Sequence, residues 1–97
     1  MLREEVKAKL KTYQDLEELI VEDPELLGGK PTIFGTRLSV EWLLEKLKFE
    51  YSRSALLKDY PTLYPEGIDA AIAFAEALPK EHSLAQLLKE YYAVRRG

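Results

Sequence analysis

Cysteine is absent from the 97 residues, which removes disulfides, thiolate nucleophiles and Cys-ligated zinc together. Histidine is almost absent: His82 stands alone, so a histidine metal site or a Ser/His dyad would rest on one side chain, for which a solvated role is expected. No apolar run approaches the roughly eighteen residues of a membrane-spanning helix, so no membrane partner is expected. The start, Met1-Leu2-Arg3-Glu4-Glu5, has no uninterrupted apolar stretch of the signal-peptide kind, and a cytoplasmic protein is expected. Internal repeats and low-complexity linkers are lacking too, which leaves one domain over residues 1–97.

A hydrophobic content of 46% supports one core, and a charged fraction of 32% with both signs present is ordinary for a helix-rich protein. The net charge of −3 is unevenly distributed. Residues 1–27 carry four basic and eight acidic side chains, residues 28–58 six and three, and residues 59–97 four and six. Only the middle third is positive, so Lys30, Arg37, Lys46, Lys48, Arg53 and Lys58 are the candidate nucleic-acid contacts. The alternative is that these side chains are solvated or neutralised by Glu41, Glu45 and Glu50.

That middle third opens on Gly28-Gly29-Lys30-Pro31-Thr32-Ile33-Phe34-Gly35-Thr36-Arg37-Leu38-Ser39-Val40. Gly28 and Gly29 tolerate positive φ at a turn, and Thr32-Ile33-Phe34 and Thr36-Arg37-Leu38 around Gly35 read as a minimal β-hairpin. Gly-Gly-Lys lacks the remaining P-loop glycine and Ser/Thr and is followed by Pro31, which has no N–H to offer a phosphate. A structural job is expected for Gly28, Gly29, Pro31, Gly35, Thr36 and Arg37, with Arg37 tying hairpin backbone or the carboxylates of Asp23 or Glu25.

Helical periodicity frames this hairpin. Leu2, Val6, Leu10 and Tyr13 form a narrow stripe on a first helix, whereas Leu19 to Val21 is open between helix and a short strand that pairs with the hairpin. Ser39 caps a helix from Val40 to about Lys48 with Val40, Leu43, Leu44 and Leu47 on its apolar face. Ser52 caps a shorter helix to Lys58 or Asp59, and Pro65 starts a third with Ile68, Ala71, Ile72, Ala75 and Leu78 on one face. Ser83 caps a last helix bearing Leu84, Leu87, Leu88, Tyr91 and Val94, with Arg95 and Arg96 at its partially negative end. The fold class expected is mainly α: a short β-hairpin, then a three-helix, helix-turn-helix-like core, flanked by amphipathic terminal helices.

The run from Asp23 to Val40, with Leu56-Leu57-Lys58-Asp59-Tyr60-Pro61-Thr62-Leu63 and Ile68-Asp69-Ala70-Ala71-Ile72-Ala73-Phe74-Ala75, resembles the Domain of Unknown Function 433 family over about residues 19–77. The resemblance implies a short hairpin with a homeodomain-like helical core, and an antitoxin-like role as partner of PIN-domain-like proteins. Two departures fall at the turns of the core: Glu50 stands where members usually have Gly, and Tyr64-Pro65 where they have a Thr-type cap.

DNA reading needs donors and acceptors on a helix that enters the major groove, and the third helix instead presents Glu66, Asp69 and Glu76. Leu10, Tyr13, Trp42, Leu84, Leu88, Tyr91 and Tyr92 are candidate partner or dimer contacts, with closure of the monomer's own core as the other possibility. No catalytic residue, cofactor or metal is expected. The function expected is non-enzymatic neutralisation of a PIN-domain-like toxin, with homodimerisation. The alternatives are a small DNA-binding regulator or a stand-alone adaptor.

Overall fold

The structure, a computed structural model, describes residues 2–49 and 51–96; Glu50 and the side chain of Arg96 lie outside the described residues. Its elements are α1 (Glu4–Thr12), a 3-10 turn (Leu16–Leu19), β1 (Ile20–Val21), a second short turn (Leu27–Gly29), β2 (Thr32–Ile33), α2 (Val40–Lys48), α3 (Arg53–Asp59), α4 (Pro65–Glu76) and α5 (Ser83–Arg96). The chain is mainly helical, with a small antiparallel β pair.

α4 lies at the centre, against the Leu16–Leu19 turn, both strands, α2, α3 and α5, while α2 also runs along α5. Its alanines explain the position: Ala70, Ala71 and Ala75 are fully buried beside Ile68, so neighbouring elements approach its backbone closely. Pro65 takes the first helical position, where the missing N–H is harmless. Around α4 pack Leu19, Ile33, Val40, Leu43, Leu44 and Leu56, all at 0% exposure.

The caps at Ser39 and Ser52 are as expected: the Ser39 hydroxyl accepts from the Trp42 N–H at 2.9 Å, and that of Ser52 from the Ala55 N–H at 3.1 Å. At α5 the expected cap shifts by one residue. His82, not Ser83, accepts the Leu84 N–H through Nδ1 at 3.1 Å, so this exposed histidine has a structural partner.

The β pairing also departs from the expected hairpin. β2 pairs with β1, Ile20 opposite Ile33 and Val21 opposite Thr32, which places Leu19 to Val21 partly in a turn and partly in a strand. Thr36-Arg37-Leu38 is not a strand, because Thr36 diverts the local hydrogen bonds. Its hydroxyl donates to the Ile33 carbonyl at 2.8 Å and accepts the Leu38 N–H at 3.0 Å. The chain still folds back, with Ile33 N–H to Leu38 C=O and Val40 N–H to Pro31 C=O both at 2.9 Å, but only a Thr32–Ser39 bridge remains of the second ladder.

Candidate functional site

The Gly-Gly-Lys-Pro loop makes a left-handed turn. Leu27, Gly28 and Gly29 have φ of 53°, 66° and 87°, closed by Gly29 N–H to Leu26 C=O at 3.1 Å and Lys30 N–H to Leu27 C=O at 3.3 Å. The glycines adopt this state freely, whereas Leu27 does so against its Cβ and keeps its side chain 39% exposed. Lys30 leaves the turn to pair with Glu41 on α2 at 3.1 Å.

The Gly-Thr-Arg corner is built more tightly. Gly35 has φ of 79° and sits directly on the Val6 side chain of α1, so this one position joins the loop to the first helix. Across the corner, the Tyr64 hydroxyl donates to the Phe34 carbonyl at 2.7 Å. Burial holds that phenol far above the usual tyrosine range, with the charge of Glu66 adding to the effect. Gly67 makes room for this contact: a Cβ there would stand 2.8 Å from Ile33 Cγ2 and 3.2 Å from the Tyr64 ring. Sequence reasoning missed Tyr64, since its role lies in a partner thirty residues away.

Arg37 does not make the tie expected of it. Its side chain is exposed and makes no hydrogen bond or ion pair among the described residues, while Asp23 instead accepts the Glu25 N–H at 2.9 Å. Arg37→Lys is therefore expected to unfold within about 0.5 kcal/mol of the wild type. A thermal midpoint lowered by several degrees would restore a structural role to the guanidinium.

The other candidate cations are mostly engaged. Lys48 pairs with Glu90 at 2.8 Å and Arg53 with Asp69 at 2.9 Å, so among the described residues the neutralising carboxylates are Glu41, Glu90 and Asp69 and not Glu45, while the expectation for Glu50 lies outside the described residues. Lys46 lies over the rings of Trp42 and Tyr51, 5.7 and 5.4 Å from their centroids. Arg37 and Lys58 are left exposed and unpaired among the described residues. The outer side of α4 carries Asp69 and Glu76, and no basic side chain.

The aromatic and aliphatic candidates divide between core and surface. Leu84, Leu88 and Tyr91 are buried in the monomer's own core, and Leu10 and Tyr13 are half-buried against it. Trp42, also half-buried, meets Tyr60 edge-on at 4.7 Å, so it has the aromatic neighbour that its own helix lacks. Tyr92 stays exposed and donates its hydroxyl to Glu76 at 3.1 Å. It stands beside a groove of about 560 Å³ between the end of α4 and α5, walled by Ala75, Leu78, Ala85, Lys89 and Ala93. Phe49, at the end of α2, is 72% exposed.

Among the described residues, no group of three or more His, Asp or Glu side chains is placed to hold a metal ion, and no helix is long and apolar enough to cross a membrane.

Comparison with known proteins adds a family but no activity. The model for "Protein of unknown function (DUF433)" matches residues 20–75, more than half of the chain. The "Uncharacterized protein y4eO" of Sinorhizobium fredii (strain NBRC 101917 / NGR234) is 34% identical over 62 residues, which are 64% of this chain and 28% of that protein. The chain thus spans well under a third of the curated relative's length. No solved structure matches.

Proposed function

This chain belongs to the DUF433 family, whose function is unknown, and from that premise we propose that it is a non-enzymatic, antitoxin-like protein-binding module acting on a PIN-domain-like partner. The resemblance supplies the partner class, and the cytoplasmic setting expected from the sequence is part of the same proposal. The observation that carries protein binding is the α4–α5 groove beside Tyr92, an open, largely apolar surface on a chain whose core is already closed. A tyrosine with an exposed ring and a polar tip suits such a contact. A DNA-binding reading has less support, since three of the six candidate cations are ion-paired and a fourth lies over aromatic rings. Homodimerisation through the exposed Phe49 belongs to the same reading, and light scattering that returns the monomer mass at every concentration would count against it.

Affinity capture with the full chain, co-expressed with a PIN-domain-like protein encoded beside it, tests the proposal. Tyr92→Ala is expected to weaken capture about tenfold or more while leaving the thermal midpoint within a few degrees. Truncation after Lys80 is unsuitable, because it strips Leu84, Leu88 and Tyr91 from the core. Absence of a wild-type complex would remove the antitoxin reading, and equal capture by Tyr92→Ala would move the contact off this groove.

A further inference from the structure

Arg37 is the feature of the signature loop that the fold leaves unexplained. The residues around it are closely determined: Gly35 against Val6, Thr36 hydrogen-bonded on both sides, and Leu38 held by Ile33. A long cationic side chain thus leaves a rigid corner with no partner among the described residues. It also lines two hollows at once. One, of about 300 Å³, has Val21, Leu26 and Phe34 in its wall, with Arg3 and Glu5 at its rim. The other, of about 330 Å³, is lined by Leu27, Leu38 and Trp42, with Lys30 beside them. The exposed, left-handed Leu27 fits the same picture, since backbone strain of this kind is more often kept where a surface is used.

We propose that Arg37 and its two hollows form a receiving site for an extended acidic-apolar peptide segment of a partner protein. An Asp or Glu carboxylate would meet the Arg37 guanidinium, and the apolar side chains two residues to either side, which share its face of an extended chain, would fill the hollows. The inference rests on the protein-binding reading above and gives it a second surface with a stated chemistry.

Charge selects this occupant. Of the three cations that line the hollows, Lys30 is paired with Glu41 at 3.1 Å and Arg3 lies 3.8 Å from Glu5, so one uncompensated positive group remains. A single guanidinium matches one carboxylate in a two-pronged hydrogen bond. A nucleic-acid backbone needs several free cations in a row, and of these three only Arg37 is without a partner among the described residues. Apolar walls flanking a lone charge are likewise the makeup of a peptide site, with pockets for alternate side chains of an extended strand.

The test uses the full chain and an array of ten-residue peptides that set one Asp or Glu between Leu or Phe two residues away on each side, with Ser or Thr in between, beside copies in which the acid is replaced by its amide. Acidic peptides are expected to bind the wild type, to bind Arg37→Gln about tenfold more weakly, and to bind Arg37→Lys at an intermediate level. Leu27→Gly, which relieves the backbone and removes the hollow's exposed wall, is expected to weaken binding at an unchanged thermal midpoint. Equal binding of the amide copies, equal binding by Arg37→Gln, or no binding at all would overturn the site. So would salt-sensitive binding of an oligonucleotide that Arg37→Gln abolishes, since that would assign the guanidinium to phosphate. A partner captured equally by wild type and Arg37→Gln would sink this inference and leave the protein-binding reading standing, whereas acidic-peptide binding without a PIN-domain-like complex would do the reverse.

Discussion

Gly35→Ala is expected to destabilise the fold by about 3–5 kcal/mol. Two causes combine. At φ of 79° any L side chain strains the backbone, by about 1–2 kcal/mol. The new Cβ would also run into Cγ2 of Val6, a residue at 1% exposure whose helix has few other anchors in the core. For a domain of this size the loss lowers the melting midpoint by roughly 15–30 °C, and urea unfolding measures it directly. The Val6→Ala background separates the causes. Without Cγ2, the nearest atom to the added Cβ is Val6 Cβ at 3.7 Å, an ordinary contact, so Gly35→Ala should there cost only its backbone strain. The same full cost in both backgrounds would mean that Val6 is not the obstacle. A wild-type midpoint for Gly35→Ala alone would contradict both causes.

The helices were legible because their signals are local. Ser39 and Ser52 cap the two helices that they were expected to cap, and the apolar spacing of Val40, Leu43, Leu44 and Leu47 becomes a buried stripe. The hairpin was legible as a place where the chain turns, and one of the two readings of Leu19 to Val21, a short strand against it, is present as Ile20–Val21 paired with Thr32–Ile33; the second arm of the hairpin was not. Thr36 misled because β-branching favours strands in general, while its hydroxyl here bonds its own corner. The candidate interface divided for a related reason. Periodicity marks the apolar face of α5 but does not say what covers it, and with α2 and α4 packed on α5, Leu84, Leu88 and Tyr91 are buried while Tyr92 stays exposed. Arg37 was given a tie that it does not make, since Asp23, one of its carboxylate candidates, closes its own turn on the Glu25 N–H instead.

Tyr64→Ala is expected to cost about 3–5 kcal/mol, as for other buried aromatic side chains truncated to a methyl group. Tyr64 has 1% of its surface exposed, lies against Gly67, and carries a hydrogen bond that ties the Phe34 corner to the start of α4. Tyr64→Phe keeps the ring and deletes the donor, leaving the Phe34 carbonyl short of a partner, for about 1–2 kcal/mol at neutral pH. The phenol gives this pair a second signature. Up to about pH 10 the native and unfolded states both keep the Tyr64 proton, so its contribution does not vary. Above that, the unfolded state ionises while the buried native phenol, its pKa raised by burial, holds its proton, so the native state carries one more proton and stability falls as pH rises. The slope from this group approaches about 1.4 kcal/mol per pH unit and continues until the native phenol itself ionises. Tyr51 and Tyr92 also have raised values, through Asp59 and through burial beside Glu76 respectively, and remain in both proteins, so the difference between wild type and Tyr64→Phe isolates Tyr64. Urea unfolding at intervals from pH 8 to about 11 should show the gap between the two proteins closing as pH rises. A gap that stays constant would mean that Tyr64 ionises alike in both states, and its hydroxyl would then be no buried anchor for the loop that carries Arg37.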